Sequence, residues 1–364
     1  MTMHLAVAIS AHGFGHGAQT AVVLAALRAR LPRLRLTLLT GLPRGFLHDR
    51  IPGDFDLIDW RGDFGMRMNS ALDVDRTGSA ADYAAFHVEW ESRCDETARQ
   101  LERLAPDLLL ANIPYLPLAA AARIGLPSAA LCSLNWAGIY RHYFSALAEA
   151  PALLAAMEAA YNSAEVFLCP APSMTMPELR NVLPIGPLAR LGQTMGEDLR
   201  AELHARLNLS DAQRVVLIAP GGIELRLPLE NWPEHPDIVW IVPAAWNIQR
   251  RNTHSFESLG LGFTDVLAAA DALIGKLGYG TVAECACNGT PMLYMPRPDW
   301  PEERSLADWL RAHGRCAPIA REAVMRGAVR EALASLWAQP APEPPRPTGA
   351  EQAAAWLVGR LGGG

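Results

Sequence analysis

Two histidines and three glycines lie together near the start of the chain, in the stretch ISAHGFGHGAQ (9–19). The apolar residues before it predict a strand, and the residues after it predict a helix. A loop at the carboxyl end of a parallel strand is where ligands enter open α/β sheets, and a neutral histidine there can accept a proton from a hydroxyl group. His16, and after it His12, are therefore candidate catalytic bases. The alternative is that one of them caps the helix or fills the turn.

Two other interpretations of this stretch are weaker. Gly13, Gly15 and Ala18 satisfy the G-x-G-x-x-A pattern of dinucleotide-binding folds, but no acidic residue ends the second predicted strand to bind a ribose. The spacing of the two histidines resembles a zinc site, yet no glutamate follows His12 as in HExxH, and no cysteine is near. We therefore predict no metal here.

A second stretch with chemical potential is DALIGKLGYGTVAECACNGTPMLYMPRPDWPEE (271–303). It begins as a strand and turns through two glycines, after which Thr281 is a predicted N-cap with Glu284 one turn along. The amide groups of a helix end form an anion site that a diphosphate fits. Glu284 then either receives ribose hydroxyls or completes a capping box. No Walker A motif surrounds Lys276, which is the only lysine of the sequence.

Two further features could extend this anion site. Gly221 and Gly222 form a turn after the strand-like VVLIA, and Arg297 follows the strand-like PMLYMP. Glu302 and Glu303 lie in the loop after Arg297; the alternative for them is a solvated acidic loop. Two glycine turns in the same half of the chain could border one nucleotide from two sides.

Composition excludes several functional classes. A net charge of −6 argues against a nucleic-acid-binding protein, which needs a basic face. No window has the ~18 consecutive apolar residues that a membrane span needs, and the first residues lack the features of a signal peptide. The six cysteines include no CxxC pair and are expected to be buried thiols. These features predict a cytoplasmic protein.

The elements that must position these residues alternate between strands and helices, which predicts an α/β fold with parallel sheets. In the first half the predicted strands are Leu5–Ser10, Arg35–Thr40, Asp56–Trp60, Asp107–Asn112, Ser128–Ser133 and Glu165–Pro170, and the helices are Ala18–Arg30, Asp82–Leu104, Leu116–Ile124 and Pro151–Ala160. In the second half the strands are Val215–Ala219, Ile238–Val242, Ala272–Gly275 and Met292–Met295, and the helices are Gly196–Leu207, Thr264–Ala270, Thr281–Asn288 and Glu303–His313.

A length of 364 residues predicts two domains. We place them at 1–185 and 186–340, joined by the proline-rich stretch 171–190. A proline-rich linker and a C-terminal helix (Ala350–Leu361) occupy 341–364, and the helix is expected to return to the first domain and bury Trp356.

The stretch 271–303 and the Gly221-Gly222 turn resemble the donor-site signature of GT-B glycosyltransferases, which transfer sugars from nucleotide donors. The N-terminal half is similar to the glycosyltransferase-like portion of L-arabinokinase, through the opening stretch, Asp73–Arg76, His87–Trp90 and Asn135-Trp136. The kinase portion of that family is absent, so arabinose phosphorylation is not expected. A related pattern, G-x-G-H-x-x-R, has Gln19 in place of arginine.

The resemblance implies two Rossmann-like domains whose parallel sheets face a central cleft, with Gly13, Gly15 and Gln19 in an interdomain loop. It implies an inverting, metal-independent transferase without a cofactor, whose donor is a nucleoside diphosphate sugar; the base is left open among UDP, GDP and dTDP, and the acceptor is an unknown hydroxyl compound. The predicted donor-binding residues are Gly221, Gly222, Pro243, Lys276, Gly278, Tyr279, Gly280, Thr281, Glu284, Arg297, Glu302 and Glu303. A nucleotide-sugar hydrolase or epimerase, and a binding protein without catalysis, are the alternatives.

Overall fold

A computed structural model describes residues 3–63, 65–193, 196–219, 221 and 225–362. The described residues form two compact units. The first unit takes in 1–69, 73–188 and 348–364, and the second takes in 70–72 and 189–347. Each unit is built on a parallel sheet with helices between its strands, so the predicted α/β class is confirmed.

The first unit contains a seven-stranded sheet in the order β3-β2-β1-β4-β5-β6-β7. All of its ladders are parallel. Its elements along the chain are β1 (His4–Ile9), α1 (Gly15–Arg30), β2 (Arg35–Thr40), α2 (Arg44–Arg50), β3 (Asp56–Asp59), α3 (Arg76–Val88), α4 (Trp90–Leu104), β4 (Leu108–Asn112), α5 (Tyr115–Arg123), β5 (Ser128–Leu131), α6 (Trp136–Phe144), α7 (Ala150–Ser163), β6 (Val166–Pro170) and β7 (Val182–Ile185).

The second unit contains a six-stranded parallel sheet in the order β10-β9-β8-β11-β12-β13. Its elements are α8 (Gly196–Leu207), β8 (Arg214–Ala219), β9 (Ile238–Val242), β10 (Thr253–Ser255), α9 (Phe263–Ala269), β11 (Ala272–Lys276), α10 (Tyr279–Asn288), β12 (Met292–Met295), α11 (Glu303–His313), β13 (Cys316–Pro318), α12 (Arg321–Met325) and α13 (Arg330–Trp337). The chain then ends in α14 (Gly349–Gly362), which belongs to the first unit.

The central strands are mostly apolar because helices cover both faces of a parallel sheet. Every residue of β1, β4, β6 and β9 is buried. In the second unit, Trp240 on β9 packs with Trp232 and residues of α13 in one apolar cluster. All six cysteines are buried and free, as expected. Among the described helices, none is long and apolar enough to cross a membrane.

The predicted bounds of β2, β9, β12, α8 and α11 are confirmed, and two predictions in the first half are wrong. The single helix predicted at Asp82–Leu104 is interrupted at Glu89, whose backbone (φ −103°, ψ 20°) leaves the helical region between α3 and α4. The stretch 171–190, expected to be an irregular connection, contains β7. Pro184 is tolerated there because β7 is the edge strand of its sheet.

The C-terminal helix α14 packs against α1 of the first unit. Ala353, Ala354 and Leu357 form its buried face, whereas Trp356 is only half-buried, so the expected burial of that indole is not complete. Polar contacts tie the helix down at both ends: the Gly186 amide donates to Gln352 Oε1 at 2.6 Å, and Arg360 binds both carboxylate oxygens of Glu165 at 2.7 and 2.8 Å.

Leu357→Ala is expected to destabilise the first unit by about 2–5 kcal/mol, because it removes a fully buried side chain and leaves a cavity. The measurement is denaturant-induced unfolding. Glu351→Ala on the same helix is the control, since it removes only an exposed ion pair with Arg30 and is expected to cost less than about 1 kcal/mol. Equal losses in the two variants would contradict the packing of α14 described here.

Candidate functional site

His16 lies just inside α1, after the turn that leaves β1. Gly13 has a φ of +73°, a backbone conformation that favours glycine, and α1 begins at Gly15. Two predictions need correction here. Gly15, expected in a loop, is the first residue of α1, because the helix starts three residues earlier than its apolar periodicity suggests. Gln19, also assigned to that loop by the resemblance, is a residue of α1, in agreement with the helix predicted at Ala18–Arg30.

The His16 ring is buried in the first unit, with 7% of the residue exposed. Its Nδ1 lies 2.9 Å from Asn112 Oδ1, which makes the amide of Asn112 a hydrogen-bond partner. The Sγ of Cys132 is 3.7 Å from the same nitrogen, and the ring centroid of Trp136 is 5.7 Å away. Burial lowers the pKa of His16 to about 4, against a smaller raising effect from Asn112. The imidazole is therefore neutral at pH 7 and can accept a proton.

His12 occupies the turn before α1 and is half-buried. The Met66 backbone amide donates to its Nδ1 at 3.5 Å, and its ring meets Trp136 edge-on at 5.3 Å between centroids. Trp136 thus contacts both histidines, which brings the two predicted bases to one place. Their catalytic roles stay predictions.

The polar residues that surround His16 were not predicted as site residues from the sequence. Asn112 ends β4, and Ser133 follows β5, the next strand in the sheet; both are buried. Asn112 left a signal in the sequence, since it is the one polar residue at the end of the apolar run LLLAN. A polar side chain in that position points to the carboxyl edge of a parallel sheet, where sites form.

The predicted donor residues of the second unit lie at the carboxyl ends of four adjacent strands. The sheet order places β9, β8, β11 and β12 side by side, and these strands are followed or ended by Pro243, Gly221, Lys276 and Arg297 respectively. Gly222, predicted with them, lies outside the described residues. The parallel pairing therefore brings together residues that are widely separated in the sequence.

The first turn of α10 borders this edge. The helix begins at Tyr279 with Gly278 as its N-cap, so the prediction that Thr281 is the N-cap is wrong. The extended backbone of Gly278 (φ −135°, ψ 144°) already starts the helix, and Thr281 lies within its first turn. A Cβ atom at Gly278 or Gly280 would meet no other atom within 4 Å, so the space next to this turn is open. Helix geometry leaves the amide groups of such a turn without acceptors inside the helix.

Glu284 stands one turn further along α10, on the same side as Gly280. Both residues are partly exposed, whereas Val282, Ala283 and Cys285 are buried. Its carboxylate therefore lies on the open side of the helix. This position is compatible with the predicted contact to a ribose, but that role stays a prediction.

Lys276 lies close to Gly221, the residue described after the end of β8. A Cβ atom built on Gly221, whose φ is +99°, would lie 2.9 Å from Cε of Lys276. Only glycine suits that position, since a side chain would meet both backbone strain and the lysine. Burial lowers the pKa of Lys276 to about 8; the positive charge of Arg297 adds to this effect, and Glu302 opposes it.

Arg297 and the acidic residues after it form a compact loop. The guanidinium of Arg297 lies over the ring of Trp300, 4.6 Å from its centroid, and the Arg297 backbone amide donates to the Glu303 carboxylate. Glu302 is buried and accepts a hydrogen bond from Trp300 Nε1 at 3.4 Å. The alternative of a solvated acidic loop is thus wrong for Glu302. Burial raises the pKa of Glu303.

Within the described part of the chain, no three histidine, cysteine, aspartate or glutamate side chains are grouped closely enough to hold a metal ion. The clusters around His16 and around Lys276 offer different chemistry. The His16 cluster is buried, neutral and amide-rich, and suits proton transfer. The Lys276 cluster combines a cation, the adjacent Gly221 and the start of α10, and suits an anion.

Comparison with known proteins supports the resemblance noted from the sequence. No protein-family model matches the chain. Among curated proteins it is similar to L-arabinokinase of Arabidopsis thaliana, with 24% identity over 306 residues that make up 83% of this chain. The chain spans only 29% of the length of that protein.

Solved structures match the whole chain. The calicheamicin glycosyltransferase CalG4 has a TM-score of 0.60 and 15% identity, with 99% of this chain and 94% of that one covered. UGT89C1 of Arabidopsis thaliana, solved with UDP, has a TM-score of 0.54 and 15% identity, covering 99% and 100%. A UDP-N-acetylglucosamine 2-epimerase from Listeria monocytogenes has a TM-score of 0.57 and 13% identity, covering 100% and 98%. At these identities the likeness establishes the fold: this chain has the GT-B fold, with two Rossmann-like domains.

Proposed function

We propose that this chain is a glycosyltransferase that moves a sugar from a nucleoside diphosphate donor to a hydroxyl group of an acceptor. The observation that carries the proposal is the grouping of residues at the carboxyl edge of the second sheet. There Lys276 lies close to Gly221, and α10 begins after the strand that Lys276 ends, in a GT-B fold. Such a grouping favours an anion.

In this proposal the diphosphate of the donor binds the amide groups at the start of α10 and the ammonium of Lys276. The helix dipole and the lysine stabilise the negative charge that the leaving diphosphate gains, so no metal is required. Glu284 accepts hydrogen bonds from the ribose hydroxyls. Arg297 adds positive charge beside Lys276, and its cation–π contact with Trp300 helps to hold the loop in place.

His16 acts as the general base in the same proposal, with His12 as the second candidate. Its Nε2 accepts the proton of the acceptor hydroxyl while the oxygen attacks the anomeric carbon from the side opposite the diphosphate, which inverts the configuration. The bond from oxygen to carbon forms as the bond to the diphosphate breaks. A neutral imidazole is the form of histidine that can accept a proton, and burial keeps His16 in that form.

A hydrolase or epimerase is the second candidate, because one solved neighbour is a UDP-N-acetylglucosamine 2-epimerase. In a hydrolase, His16 would activate water instead of a sugar hydroxyl. Free sugar released from the donor at full rate without any acceptor would favour this candidate. A protein that binds donors but neither transfers nor hydrolyses them would be the third outcome.

Lys276→Met is expected to weaken UDP binding by about 10- to 100-fold, the effect of losing one charge-assisted hydrogen bond. Calorimetry with UDP, and thermal shifts with a panel of UDP, GDP and dTDP sugars, measure it. Arg304→Met is the control, because it also removes one positive charge but from a side chain that is 93% exposed. If the wild-type protein binds no nucleotide in the panel, the proposal fails.

The Lys276 amine is expected to titrate near pH 8 and to shift upward by about one unit or more when UDP binds, since a nearby anion favours the charged form. Lys276 is the only lysine, so ¹³C-methylated protein gives one lysine signal in addition to the amino terminus. Lys276→Arg identifies that signal by removing it. Bound UDP that leaves the midpoint unchanged would place the diphosphate elsewhere.

His16→Ala is expected to leave UDP affinity within about twofold and to lower the transfer rate by about 10²- to 10⁴-fold, the usual contribution of a general base. Transfer is measured with the donor that the panel identifies. His12→Ala serves as the comparison and is expected to have the smaller effect. A His16→Ala variant with the wild-type rate would exclude this base.

A further inference from the structure

The Nδ1 atom of His16 begins a chain of buried hydrogen bonds through two amide side chains. Nδ1 lies 2.9 Å from Asn112 Oδ1, and Asn112 Nδ2 donates to Gln19 Oε1 at 3.2 Å. Gln19 Nε2 then donates to Ser133 Oγ at 3.4 Å. His16 is 7% exposed, and each of the other three residues is 4% exposed or less. Water therefore has little access to this chain.

The backbone holds the members of the chain in place. Asn112 is paired with Ile9 in the ladder between β1 and β4, and its carbonyl accepts from the Ser10 amide at 2.8 Å. His16 and Gln19 are three residues apart on α1, so they lie on the same face of that helix. Asn112 is thus placed by the carboxyl edge of the sheet, and His16 and Gln19 are placed by α1.

Such a chain has a direction, because a primary amide has a donor end and an acceptor end. If the Asn112 side-chain oxygen accepts a hydrogen bond from His16, the Asn112 NH₂ group faces Gln19. The Gln19 side-chain oxygen must then accept from that NH₂ group. A single reversed amide would set two donors or two acceptors against each other in a buried place. The direction observed here requires that His16 Nδ1 carries the proton. His16 Nε2 has no hydrogen-bond partner among the described residues, and it then holds the free electron pair.

We infer that Asn112 and Gln19 are positioning residues that fix His16 as the neutral Nδ1–H tautomer and leave Nε2 to accept a proton. The inference rests on the proposed function for its catalytic meaning, but the tautomer itself is independent of any reaction. It also gives a role to Gln19, where the related sequence pattern has arginine. Arginine has no acceptor and could not receive the Asn112 NH₂ group.

The test is the tautomer of His16, read from two-bond ¹H–¹⁵N spectra of the full chain labelled with ¹⁵N-histidine at pH 7. His16→Gln assigns the signal among the ten histidines. The wild-type protein is expected to show Nδ1 protonated and Nε2 unprotonated. A protonated Nε2 would mean that the chain runs in the opposite direction and would overturn the inference.

Two substitutions at Gln19 separate the direction of the chain from simple packing. Gln19→Glu keeps an acceptor for Asn112 and is expected to keep the Nδ1–H tautomer. Gln19→Met keeps the approximate volume but offers no acceptor, so the single tautomer is expected to give way to a mixture. Thr20→Val is the matched control: Thr20 donates to the His16 carbonyl at 2.8 Å and is fully buried, but it is outside the chain. A folded Gln19→Met variant with an unchanged tautomer would overturn the inference.

Asn112→Asp gives a second readout. A carboxylate stabilises the imidazolium more strongly than an amide does, so the midpoint of the His16 titration is expected to rise by at least one pH unit from about 4. Gln19→Glu places a carboxylate one hydrogen bond further from His16 than Asn112→Asp does. The midpoint of the His16 titration is therefore expected to rise less in Gln19→Glu than in Asn112→Asp. An unchanged midpoint in Asn112→Asp would show that Asn112 does not contact Nδ1 in solution and would overturn the inference. Loss of transfer in His16→Ala tests the proposed function separately.

Discussion

The parallel pairing of strands is the constraint on which both candidate clusters depend. A parallel ladder sets the carboxyl ends of neighbouring strands at one edge, whatever their separation in the sequence. In the first unit the pairing of β1 with β4 brings Asn112 to the end of the strand that leads to His16. In the second unit the pairing of β8, β11 and β12 brings Gly221, Lys276 and Arg297 to one edge. Each cluster is therefore a product of its own sheet.

The two clusters bury polar groups in opposite ways. Around His16 the groups are neutral, and every polar atom of Gln19 and Asn112 named above has a partner, which is how a polar group is buried at low cost. Around Lys276 the structure retains a positive charge that burial and Arg297 both disfavour. Binding of an anion beside such a buried cation would stabilise the fold, because the negative charge of the ligand offsets the cost of burying the positive charge.

Much of the fold could be predicted from the sequence, since long apolar runs mark buried strands and β2, β9 and β12 were predicted with their observed bounds. Short or polar elements were missed. The edge strands β7, β10 and β13 have three or four residues each; β7 and β13 contain a proline, and β10 is polar, so none of them has the apolar run that marks a strand. The start of α10 was misplaced because Thr281 is a better N-cap by residue type than Gly278, whereas the backbone turns two residues earlier. Of the site, the histidines and the lysine could be predicted by type. The contacts that link His16 to Asn112, and Asn112 to Gln19, could not, because they span 96 and 93 residues of sequence.

The exchange of arginine for glutamine at position 19 illustrates why a departure from a sequence pattern is not evidence of a lost site. An arginine side chain in this buried position would carry a charge and offer only donors. Glutamine has both a donor and an acceptor, and the structure uses the two ends on different partners, Ser133 and Asn112. Glutamine therefore makes a neutral contact with a defined donor and acceptor direction next to His16. Where the neighbouring groups are neutral, the donor or acceptor role of one side chain decides which nitrogen of a histidine carries the proton.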